Sequence, residues 1–143
     1  MTEGGVGLTV GSTAPDFSLA PGPGPDRVTL SEFASQPVVL LFFPLAFSGV
    51  CTDELCRIAE DWAKWSAVGA RVLGISVDSP FVLARFAEEN GVEFPLLSDF
   101  NKTVAESYGV QNRNYFGMDG VADRAAFVID KDGMIRFSWT DAD

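Results

Sequence analysis

Apolar positions along the chain follow two rhythms. Residues 38–43 ("VVLLFF") are continuously apolar and β-branched or aromatic, the pattern of a strand buried on both faces. "ARVLGISVD" (70–78) reads the same way, and "FPLLSD" (94–99) as a shorter strand. Between them Leu55, Ile58, Ala59, Trp62 and Trp65 recur at helical spacing and predict an amphipathic helix over about 50–67. A second helix is predicted over 79–91, opened by Ser79 and Pro80 and closed by Gly91. A third is predicted over "NKTVAESYGV" (101–110). In 125–139 two apolar runs flank Lys131, Asp132 and Gly133, a hairpin signal. Near the start, "PGPGP" (21–25) fits neither a helix nor a central strand. It separates extended segments at 17–19 and 27–30, which predicts an N-terminal hairpin, and 31–34 fits a short helical turn.

Strand, helix, strand and helix with a hairpin at each end predict an α/β fold with a central mixed β-sheet flanked by helices. A length of 143 residues suits one domain over 1–143 and is too short for two comfortable ones. The sequence stops at "FSWTDAD", just after the last strand, where such domains usually add a covering helix. That helix is expected to be absent, or the sequence to be cut short.

Charge narrows the choice of partners. With 20 acids against 10 bases the formal charge is −10, and no run of Lys or Arg occurs, which argues against a nucleic-acid partner. The longest apolar run, 37–47, is about half of what a bilayer span needs, so no membrane role is expected. The first residues lack the features of a secretory signal. A cytoplasmic location is expected, with thiols reduced at rest and no permanent structural disulfide.

The chain has two cysteines, both in "PLAFSGVCTDELC" (44–56), and no histidine. Without histidine no Ser–His–Asp or Cys–His triad can form, nor a His-ligated metal site. Two thiolates are half of a tetrahedral site, and no phosphate-binding glycine motif is present. Neither metal nor organic cofactor is expected, which leaves nucleophilic thiol chemistry or two buried small hydrophobes. Cys51 falls where a buried strand turns, through Pro44 and Gly49, into the first turn of a helix. Unpaired N–H groups and the positive dipole end stabilise an anion there. The Ser48 hydroxyl, three residues earlier, can donate to a thiolate or to a bound oxygen. In a protein of this net charge a thiolate also needs a local cation.

"PLAFSGVC" resembles the peroxiredoxin signature Pro-x-x-x-Thr/Ser-x-x-Cys through Pro44, Ser48 and Cys51. The likeness extends through "GSTAPDFSL", "VLGISVDSP", "FPLLSDF", "SYGV" and "RAAFVIDKDGMIRF". It looks nearest to the AhpE-type one-cysteine members. Cys56 makes it similar also to the bacterioferritin-comigratory-protein (PrxQ) type. The resemblance implies a thioredoxin-like fold and reduction of hydroperoxides without metal or prosthetic group. It implies that Cys51 is the peroxidatic cysteine, becoming a sulfenic acid. Pro44 would shield the site, Ser48 would hydrogen-bond the peroxide, and Arg124 would lower the thiol pKa and polarise the O–O bond. Glu54 would orient Arg124. On residues alone, Arg124 reads rather as an ordinary strand-edge surface charge, and only the motif match reverses this. Glu54 and Asp53 read as complements to a helix dipole, and Trp62 and Trp65 as core or interface. Arg113 and Tyr115 lie in a loop that often packs near the site in this family.

In the PrxQ-type relatives a cysteine at the position of Cys56 resolves the sulfenic acid as a disulfide. Five residues along an ideal helix separate Cα atoms by roughly 8.6 Å, beyond the roughly 6.8 Å a disulfide tolerates. Pairing of Cys51 with Cys56 therefore requires the first turns of the helix to unwind. Without it, Cys56 is a buried helical residue and the enzyme a one-cysteine type resolved by an external thiol. Reductants implied are thioredoxin, glutaredoxin or a low-molecular-weight thiol, and family members occur both as homodimers and as monomers. Two other readings stay open: a thioredoxin-like disulfide oxidoreductase, which normally uses C-x-x-C, and a non-catalytic redox-sensing or chaperone-like binding protein.

Overall fold

The computed structural model of the protein describes residues 8–47 and 69–141. The helix predicted over 50–67 lies outside the described residues.

Five strands form the central sheet: β3 (Val38–Phe42), β4 (Arg71–Ser76), β5 (Leu96–Ser98), β8 (Arg124–Ile129) and β9 (Ile135–Asp141). Their order is β5-β4-β3-β8-β9, with β3, β4 and β5 parallel and β8 and β9 antiparallel to their neighbours. This is the expected mixed sheet. The most apolar segment, β3, takes the central place, with Val38, Val39, Leu40 and Phe42 buried. The predicted N-terminal hairpin is present as β1 (Ser18–Leu19) paired with β2 (Val28–Thr29), followed by a 3₁₀ turn at Leu30–Phe33.

The helix predicted over 79–91 is α1, Pro80–Asn90. Val82 N–H donates to the Ser79 hydroxyl oxygen, and Gly91 closes the helix in the left-handed conformation at φ 64°. The helix predicted over 101–110 is shorter, α2 at Thr103–Ser107. Its start is fixed by Asp99, whose carboxylate accepts from Val104 and Ala105 N–H at 3.1 and 2.8 Å. Its end comes at Tyr108, before Gly109 at φ 71°. The β8–β9 turn is wider than three residues and is organised by Asp130, whose carboxylate accepts from Asp132 and Met134 N–H and from Arg136 Nε. A small hairpin, β6 (Gln111–Asn112) with β7 (Val121–Ala122), was not legible in the sequence.

Each face of the sheet builds a core. On one, Leu40, Phe42, Ile75, Phe127, Tyr108 and Val104 pack with the N-terminal hairpin. Tyr108 is fully buried, donates to Pro15 O at 2.6 Å, and lies edge-on to Phe127 with 5.3 Å between ring centres. On the other, Val39, Phe43, Val72 and Leu96 meet Leu83 and Phe86 of α1. Gly74 allows that second packing: a Cβ there would lie 2.6 Å from Leu96 Cδ2. No described helix is long and apolar enough to cross a membrane.

Candidate active site

Three parallel strands end on the same side of the sheet, and β3 lies where the sheet changes direction, with β4 parallel on one flank and β8 antiparallel on the other. Loops leaving the carboxyl ends of strands at such a point are where α/β folds place their sites. The loop leaving β3 begins the cysteine motif.

Two of the six residues singled out from the sequence are described. Pro44 is buried and follows Phe43, whose N–H still donates to Ile75 O at 3.1 Å. Arg124 opens β8. The register pairs Phe42 with Ala125, so one further step sets Arg124 across from Phe43, immediately before Pro44. Directly opposed residues of an antiparallel pair have Cα atoms about 4.5–5.5 Å apart. Ala125, Phe127 and Ile129 belong to the first core, so Arg124 projects from the opposite face, which Phe43 and Val128 share. The arginine is half-buried and its Nε is buried. The strand-edge reading of Arg124 is thereby corrected: β8 is an inner strand, bonded to β3 and β9. Ser48, Cys51, Glu54 and Cys56 lie outside the described residues, as do Asp53, Trp62 and Trp65.

After Pro44 the chain is held from across the sheet. Ala46 N–H donates to Asp78 Oδ2 at 2.7 Å, and the Ser76 hydroxyl donates to the same oxygen at 2.7 Å. The Ser98 hydroxyl donates to Asp78 carbonyl O at 2.6 Å. Burial pushes the Asp78 carboxyl above its ordinary value, with the Ala46 and Ser76 donors acting in the opposite direction. Phe47 follows with φ at 66°, a left-handed conformation rare for a bulky side chain. It stays half-exposed while lying edge-on to the buried ring of Phe86, 5.1 Å between centres. Neither device is legible in the sequence, since both depend on contacts over thirty or more residues of separation.

Arg113 and Tyr115 occupy the β6–β7 hairpin. Arg113 is exposed and pairs with Asp119 at 3.5 Å, while Tyr115 exchanges backbone bonds with Met118. Asp123, between β7 and β8, is buried and accepts from Asn112 Nδ2 at 2.8 Å, tying this hairpin to the start of β8. Among the described residues no group of three or more His, Cys, Asp or Glu is arranged to hold a metal.

Comparison with known proteins gives the class. The model of the AhpC/TSA family matches residues 10–138. Alkyl hydroperoxide reductase E of Mycobacterium tuberculosis is 38% identical over 94% of this chain and 95% of its own. Peroxiredoxin Bcp of Escherichia coli is 38% identical over 94% of this chain and 86% of its own. Among solved structures, peroxidoxin BcpB from Mycobacterium tuberculosis superposes with a TM-score of 0.83 at 36% identity, covering 93% of this chain and 86% of that one. A peroxiredoxin-like protein from Aquifex aeolicus reaches a TM-score of 0.84 at 27% identity, over 96% and 79%. The chain belongs to the AhpC/TSA family and is a peroxiredoxin, an enzyme of the thiol peroxidase class with the thioredoxin fold.

Proposed function

We propose that the protein reduces hydroperoxides through Cys51 and regenerates it through an internal disulfide with Cys56. The observation that carries this reading is the placement of Arg124. A half-buried guanidinium stands on an inner strand, across from the residue that precedes Pro44 of the Pro44–Ser48–Cys51 signature. It is the local cation that a thiolate requires in a chain of formal charge −10.

In the proposed reaction the Cys51 thiolate attacks one peroxide oxygen. An S–O bond forms, the O–O bond breaks, and water or an alcohol leaves once its oxygen has taken a proton. Sulfur is oxidised by two electrons to the sulfenic acid. Ser48 donates to the bound peroxide, Pro44 keeps water from the sulfur, Arg124 holds the thiolate and the developing charge on the departing oxygen, and Glu54 orients Arg124. The Cys56 thiol then displaces the sulfenic hydroxyl as water, giving a disulfide. An external thiol (thioredoxin, glutaredoxin or a small thiol) reduces it by exchange. Leu45, Ala46 and the half-exposed Phe47 make the signature loop apolar, which supports organic hydroperoxides among the substrates.

Mass spectrometry after one equivalent of peroxide tests the reading. The expected product has lost two mass units as a Cys51–Cys56 disulfide, and Cys51→Ser abolishes peroxide consumption. A stable sulfenic or sulfinic Cys51 beside a free Cys56 would make this a one-cysteine enzyme. Reduction of insulin disulfides without peroxide consumption would favour the oxidoreductase reading, and neither activity the binding protein.

A further inference from the structure

We propose that Asp78 is a positioning residue for the peroxidase site, its carboxylate fixing the loop that carries Pro44 towards Cys51 through the Ala46 N–H. The inference rests on Cys51 being the peroxidatic thiol.

Between the end of β3 and Ser48, the chain must leave a sheet, pass a buried proline and turn. A bond across the sheet runs from Ala46 N–H to Asp78 Oδ2, 2.7 Å long and spanning 32 residues of sequence. The same oxygen accepts the Ser76 hydroxyl at 2.7 Å, and Asp78 N–H donates to Ser76 Oγ at 3.2 Å, so the carboxylate has little freedom of its own. Ser76 is fully buried on an inner strand, and Ser98 of the next strand holds the Asp78 carbonyl at 2.6 Å. The loop is thus referenced to β4 and β5, while the arginine is referenced to β3 and β8. Both reference points belong to one sheet, which fixes loop and cation relative to one another.

The loop also needs an anchor. Phe47 sits in the left-handed region at φ 66°, a conformation that costs a non-glycine residue of order 1 kcal/mol or more and persists only where neighbours enforce it. One enforcing contact is the Phe86 ring; the other is the bond made by the preceding residue. Asp78 offers a charged acceptor, whose hydrogen bonds are stronger than those of neutral groups. Ser48 follows Phe47 directly in sequence, and in an active site misplacements of about an ångström cost rates of order 100-fold.

Asp78→Ala removes the acceptor, whereas Asp78→Asn keeps an oxygen that can accept both donors without the charge. Tyr108→Phe serves as a control for stability alone, since it deletes a buried hydrogen bond on the opposite face of the sheet. Each variant is assayed at 25 °C, where circular dichroism shows it folded. Readouts are kcat/KM for hydrogen peroxide and the pH midpoint of Cys51 alkylation by iodoacetamide. Asp78→Ala is expected to lose about 10- to 100-fold in kcat/KM and to raise the alkylation midpoint. Asp78→Asn should stay within about fivefold of the parent, and Tyr108→Phe should leave both readouts unchanged. Ser76→Ala, which loosens the carboxylate, should move both in the same direction by less, and takes the place of Asp78→Ala if that variant does not fold. Equal rates in Asp78→Ala and Tyr108→Phe would overturn the inference, as would an Asp78→Asn variant as slow as the alanine. Failure of the underlying reading looks different: Cys51→Ser of the otherwise unaltered chain would still consume peroxide.

Discussion

Asp99 carries a burden out of proportion to its size. It is 1% exposed, directly follows β5, and supplies acceptors for the first N–H groups of α2. Replacing it with alanine leaves the Val104 and Ala105 N–H groups, both in the interior, without their partner. Each unsatisfied group costs about 1–3 kcal/mol. Relief from burying a charge acts against this, because burial holds the Asp99 carboxyl above its ordinary value of 3.8. A net loss of about 2–3 kcal/mol is expected for Asp99→Ala. At about 0.3 kcal/mol/K of unfolding entropy for a chain of this length, that is a fall in Tm of roughly 7–10 °C. Asp99→Asn retains one acceptor oxygen and should lose less. The pH dependence has a definite sign. A folded-state pKa above the unfolded value means that the folded form binds the proton more tightly, so stability drawn from this group is greatest in acid and is lost as pH rises from the unfolded value through the raised one. The parent should therefore gain on Asp99→Asn as pH is lowered from 7 towards 4. Urea melts followed by circular dichroism at pH 7, 5 and 4 give both quantities. A change below about 0.5 kcal/mol for Asp99→Ala, the level of an ordinary surface substitution, or a parent-minus-Asn difference that shrinks in acid, would refute the reasoning.

Gly74→Ala should destabilise by about 1–3 kcal/mol, because its Cβ would press on Leu96 Cδ2 within a closed core; chemical denaturation measures it. Arg124→Gln should raise the Cys51 thiol pKa by about 1–3 units and cut kcat/KM for peroxide at neutral pH, with Arg124→Lys recovering only part; stopped-flow reaction across pH checks both. Asp130 lies below the ordinary carboxylate value, chiefly through the Met134 N–H bond and then the Arg136 bond. Its contribution is present above 3.8 and is lost as pH falls through the lowered value. Asp130→Asn should accordingly flatten the acid limb of the stability curve in melts between pH 5 and 2.

Local signals sufficed where an element's cause is local. Ser79, Pro80 and Gly91 mark α1 because capping is a matter of a few residues, and 38–43 reads as a doubly buried strand because burial on both faces leaves no alternation to find. α2 was overestimated because its start is set by Asp99, outside the helix, and no periodicity reveals a carboxylate four residues upstream. Pro44 and Arg124 could be singled out through the family motif, but the register that brings them together pairs strands some eighty residues apart. Asp78 was visible only as part of "VLGISVDSP"; its bond to Ala46 is tertiary.

The register of β8 bears on the catalytic cycle as well as on the cation's address. Slipping that strand by one residue would turn Arg124 to the other face and break pairing on both flanks, so the charge cannot travel without unmaking the sheet. On the proposed mechanism the sulfur must do the moving. It leaves as a neutral disulfide, which the guanidinium has no reason to retain. Once reduced, it becomes an anion again, and the stationary charge draws it home. The fold would then contain its own return stroke, driven by the change of charge at sulfur.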